Sequence, residues 1–83
     1  MIKTKIESAE DIRNSNQRDL VIAEINELFY AMKAKSMPHG SKEKIAFMAK
    51  SNEQVGIQNE NKMVIRAIDI IIARYKKEES EKK

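Results

Sequence analysis

Between Lys62 and Tyr75 the chain reads KMVIRAIDIIIARY, its densest run of isoleucine. At about 100° per residue, Val64, Ile65, Ala67, Ile68, Ile71, Ile72 and Tyr75 share one helical face about 160° wide, with Arg66 and Asp69 outside it. A strand fits worse, since Arg66 and Arg74 would fall on one side of the pleat and Asp69 on the other. Met63 and Ile70 sit off the main stripe, so a second surface of the helix is also apolar and one partner helix cannot cover both. These two residues are therefore expected at an interface between copies.

Upstream, Val21, Ile22, Ile25, Leu28, Phe29 and Met32 form a stripe about 120° wide and predict a helix from Gln17 to Lys35. Tyr30 lies off that stripe and is a candidate contact residue. Residues 1–15 carry Ile2, Ile6 and Ile12 among charges. There Ser8-Ala9-Glu10-Asp11 resembles a capping box, predicting a short helix over Ala9–Arg13. Asn14-Ser15-Asn16 would end it, with Asn16 capping the next helix and Asp19 favourable in its first turn.

Met37-Pro38-His39-Gly40 predicts a turn, with Ser41 capping the helix after it, so the flanking helices should be antiparallel neighbours. From Lys42 onward two architectures compete. If Gly56 breaks the helix within NEQVGIQNEN, the chain is a compact three-helix bundle. If not, a helix of about 36 residues spans about 54 Å beside a first arm of about 28 Å, leaving isoleucines that only another copy can cover. The seven-residue recurrence of Ile45, Asn52, Asn59 and Arg66, with Met48 and Val55 between, favours the long helix. Asn52 and Asn59 would set register in an oligomer. The expected fold is thus all-α: an antiparallel helical hairpin with a short N-terminal helix and a long C-terminal helix, oligomeric. Residues 1–77 form one domain, and 78–83 a disordered charged tail.

With 83 residues the core is marginal without help, and the absence of Cys excludes disulfides, thiol catalysis and Cys-based zinc sites. It also fits a reducing cytoplasm, as does the lack of a signal-like or membrane-spanning run. The net charge is +3, from 16 basic and 13 acidic residues, and the four Phe and Tyr are few for a nucleic-acid domain. His39 and Ser41 lie two residues apart on a turn with no third member, and Glu53 and Glu60 read as solvated helix carboxylates. No enzyme, metal or cofactor is expected. The helix start at Gly40, Ser41, Lys42 and Lys44 is the candidate anion site, because backbone N–H groups, a close-approach glycine and two ammonium groups converge there.

At this point the chain resembles a family. Pro38-His39-Gly40-Ser41-Lys42-Glu43-Lys44, followed by Lys50, Glu53, Val55 and Asn59, is similar to the hairpin of the phage anti-CBASS nucleotide sponges and the related anti-Thoeris sponges. Lys42 stands where that pattern has Arg, and Gly56, Ile57 and Gln58 where it favours aromatic and small residues. The resemblance implies a small helical hexamer that sequesters cyclic oligonucleotide or cyclic ADP-ribose signals intact between protomers. Tyr30 or Tyr75 would be the aromatic that stacks on a base. Two other functions remain open on the residues alone: a helical adaptor or inhibitor of a host protein, and a nucleic-acid accessory protein.

Overall fold

The computed structural model describes residues 3–81, so Ile2 and the last two lysines lie outside the described residues. Two helices make up the fold: α1, Lys5–Lys35, and α2, Lys42–Glu81, packed as an antiparallel hairpin 66 Å long and 23 by 12 Å across.

Thr4 begins α1. Its Oγ1 accepts from the Glu7 backbone N–H at 3.1 Å and donates to the Glu7 carboxylate at 3.1 Å, so the cap is Thr4…Glu7 rather than Ser8…Asp11. The helix does not stop at Asn14-Ser15-Asn16, and there is no separate short N-terminal helix. Asn16 turns its amide back onto the Ile12 carbonyl at 2.9 Å instead of capping a new helix. Asn and Ser cost only a few tenths of a kcal/mol each inside a helix, which packing along α2 outweighs.

At the other end of α1, the Ser36 N–H and hydroxyl both reach back to the Lys33 carbonyl. Pro38 and Gly40, at φ +79°, then reverse the chain, and the Ser41 hydroxyl accepts from the Lys44 N–H at 3.2 Å to open α2. The helix runs through Gly56 without a break, so the three-helix bundle does not form, and it continues to Glu81 through residues expected as tail. The interior glycine costs about 1 kcal/mol, less than closing a second turn would lose in packing.

The seam between the helices follows a heptad spacing. On α1 the half-buried and buried positions at this spacing are Ile6, Ala9, Arg13, Asn16, Leu20, Ala23, Glu27, Tyr30 and Ala34, with Glu10, Asn26 and Ala31 half-buried beside them. On α2 they are Lys44, Phe47, Ser51, Gln54, Gln58, Asn61, Ile65, Ile68, Ile72 and Tyr75, with Ile71 half-buried beside them. The isoleucines Ile65, Ile68 and Ile72 are half-buried or buried opposite the extended first half of α1, so the length mismatch expected from the sequence shrinks to 40 residues against 31. The middle of the seam is polar. Gln58, 8% exposed, donates to the Ala23 carbonyl at 3.3 Å and the Glu27 carboxylate at 2.9 Å. Ser51 donates to the Glu27 carbonyl at 3.2 Å, and Arg13 pairs with Asp69 at 2.9 Å.

The apolar stripe of α1 does not enter this seam. Val21, Ile22, Ile25, Leu28, Phe29 and Met32 are all 48–62% exposed. Small and polar side chains let the helices approach in the middle of the seam, and the stripe from Val21 to Met32 remains outside.

Candidate functional site

The turn end of the hairpin concentrates both charge and aromatic surface. Residues 33–50 hold Lys33, Lys35, Lys42, Lys44 and Lys50 against the single acid Glu43, a surplus of four positive charges in a chain whose net is +3. The rest of the molecule is therefore close to neutral, and an anion is drawn to this end. The helix dipoles add little, because the negative end of α1 and the positive end of α2 lie side by side.

Between the helices at this end sits a ring pair. Tyr30 and Phe47 are stacked with centroids 6.3 Å apart, and Phe29 meets Tyr30 edge-on at 5.4 Å. The Lys50 ammonium lies 5.7 Å from the Tyr30 ring and 5.8 Å from that of Phe47, and Lys33 lies 5.8 Å from Phe29. An aromatic surface beside exposed ammonium groups suits a ligand with a flat ring and a phosphate.

Of the residues singled out by sequence, Gly40, Ser41, Lys42, Lys44 and Tyr30 fall at this end, Ser41 only about 9 Å along the α2 axis from Phe47. The Ser41 hydroxyl is occupied as the cap of its own helix. Lys44 is half-buried and lines a hollow of about 300 Å³ with Ala31, Ala34, Met48, Ser51 and Asn52. Tyr75 is elsewhere: about 50 Å along α2 from Lys42, with the Lys5 ammonium 5.4 Å from its ring. There it closes an apolar groove of about 460 Å³ that includes Ala9, Ile12, Val64, Ala67 and Ile71. At the rim of that groove Lys3 pairs with Asp11, whose hydrogen bond and charge raise the lysine pKa above its usual 10.5. The interface candidates Asn52, Asn59, Met63 and Ile70 are all exposed, Met63 by 70%.

Phe47, Phe29, Lys33 and Lys50 escaped the sequence reading as site residues. The signal was available: Phe29 and Lys33 are four apart, Phe47 and Lys50 three apart, spacings that bring an ammonium over a ring on a helix. Among the described residues no group of His, Asp and Glu is placed to hold a metal ion, and no helix is long and apolar enough to cross a membrane. No family model, curated protein or solved structure matches this chain.

Proposed function

We propose that the protein is a non-catalytic, self-associating helical hairpin that holds a small anionic nucleotide at its turn end, between protomers, and sequesters it intact. The observation that carries this reading is the Tyr30–Phe47 ring pair under Lys50, set in a strongly basic stretch of the chain. Rings and lysines are what a base and a phosphate require. Cyclic oligonucleotides of phage-defence signalling are the ligand class, on the resemblance of Pro38–Lys44 and the residues after it. Self-association is supported by the fourteen large apolar side chains left exposed among the described residues. A cysteine-free chain suits work in a reducing cytoplasm.

Calorimetry with cyclic dinucleotides and cyclic trinucleotides tests the proposal. It predicts saturable heat that weakens with added salt and falls at least tenfold in affinity in Lys50→Ala. Absence of heat with every such ligand would remove it. A second reading, an adaptor that docks a host protein, draws on the exposed stripe from Val21 to Met32. It predicts that substituting this stripe abolishes capture of one defined partner, while nucleotides give no heat.

A further inference from the structure

The hairpin has two broad faces, and one carries a shape that fits itself. On this face α1 presents Ile12, Ile22 and Phe29, and α2 presents Ile57, Val64 and Ile71, the first five of these six being 42–55% exposed. In its open-end half the face is hollow, because Ala9 and Ala67 are small and leave the 460 Å³ groove between Ile12, Ile71 and Tyr75. In its turn-end half the face protrudes, because Phe29 stands out from α1.

The cross-hairpin partners Arg13 with Asp69, Gln58 with Ala23, and Tyr30 with Phe47 set the register. They place the midpoint of the hairpin near residue 20 of α1 and residue 60 of α2. A two-fold axis through that midpoint, lying in the face and across the helices, sets two copies face to face with turn ends opposed. Phe29 is nine residues to one side of the midpoint, and Ala9 and Ile12 are eleven and eight residues to the other. The ring of one copy then lies over the groove of the second, and Ile57 lies over Val64. On α2 the same operation carries Tyr75 to within about one helical turn of the second copy's Lys50 and Phe47.

Two quantities favour a second copy as the occupant. The chain exposes 6691 Å², whereas a compact protein of its mass exposes about 5,100 Å². The surplus, about 1,600 Å², is twice what one partner contributes to an interface of standard size. Charge selects the direction: pairing turn to turn would bring two clusters of five lysines together, and the opposed arrangement keeps them at opposite ends of a 66 Å particle.

We propose that this face is the surface through which two copies pair about a two-fold axis, and that the pairing completes the turn-end site by bringing Tyr75 of one copy against Tyr30, Phe47 and Lys50 of the other. The pairing stands on shape, area and charge; the role of Tyr75 at the ligand rests on the nucleotide reading.

Because the chain has no cysteine, single substitutions report proximity without background. Ile22→Cys, near the axis, is expected to link to itself on mild oxidation and double the 9.6 kDa mass. An equal mixture of Lys50→Cys and Tyr75→Cys is expected to give the mixed disulfide in excess over either self-linked species. Within one chain these two positions are about 37 Å apart along α2, so any link is between copies. Failure of Ile22→Cys to link, or self-linked Lys50→Cys dominating the mixture, would overturn the pairing. Neither result depends on a ligand. With the links present, loss of nucleotide affinity in Tyr75→Ala supports the composite site, and unchanged affinity overturns Tyr75's part in it.

Discussion

The polar middle of the seam can be rewritten, and the structure fixes what should happen. Gln58 and Glu27 meet at 2.9 Å between the helices, with Gln58 almost fully buried. A hydrogen bond to a charged acceptor contributes about 1.5–3 kcal/mol. Gln58→Leu removes it and leaves the half-buried Glu27 carboxylate against a leucine. Burial of the new side chain offsets part of the loss, at about 1.5–3 kcal/mol for full burial. The single substitution should therefore cost about 1 kcal/mol. Replacing Glu27 as well leaves no stranded charge and puts two leucines in contact, so the double variant should exceed the wild type by about 2 kcal/mol. For a domain of this size that gain raises the melting temperature by about 10 °C. Urea titrations followed by circular dichroism, at one fixed protein concentration because self-association adds a mass-action contribution, measure all four corners of the cycle. A double variant no more stable than the wild type, or strictly additive singles, would refute the reading that this polar pair is less stabilising than an apolar contact in its place.

The two glycines should respond in opposite senses. Gly40→Ala places a side chain at φ +79° and should destabilise by about 1–2 kcal/mol. Gly56→Ala, with open space around it in the middle of α2, should stabilise by about 0.5–1 kcal/mol. Ile72→Ala, at a site 6% exposed, should cost about 2–4 kcal/mol at any protein concentration. Ile22→Ala, 48% exposed in one chain and on the pairing face, should cost more at high concentration than at low, as measured by denaturation across a dilution series.

The turn was legible because Pro38 and Gly40 leave the chain few alternatives, and Ser41 sits where a helix start needs a hydroxyl. The continuity of α2 was legible only as one of two options, since a lone glycine costs about as much as tertiary packing readily supplies. The start of α1 was misplaced because Thr4…Glu7 and Ser8…Asp11 carry the same kind of capping signal four residues apart, and propensity does not choose between them. The seam of α1 was misread for a deeper reason. Hydrophobic periodicity finds the greasiest face of a helix and does not say what covers it. In this chain the two helices meet through Ala23 and Ala34 of α1 and Ser51 and Gln58 of α2, and the stripe of Val21 to Met32 is left for something else. Of the site, the lysines and Tyr30 could be read from the turn outward, whereas the stacking of Tyr30 on Phe47 needed the register of the hairpin.

Mass in solution, by light scattering over a wide range of protein concentration, bears most directly on the account. A chain that keeps a polar middle between its own helices and leaves the stripe from Val21 to Met32 exposed should run as an even multiple of 9.6 kDa. A folded particle of 9.6 kDa that stays single and soluble at the highest concentration reached would contradict it.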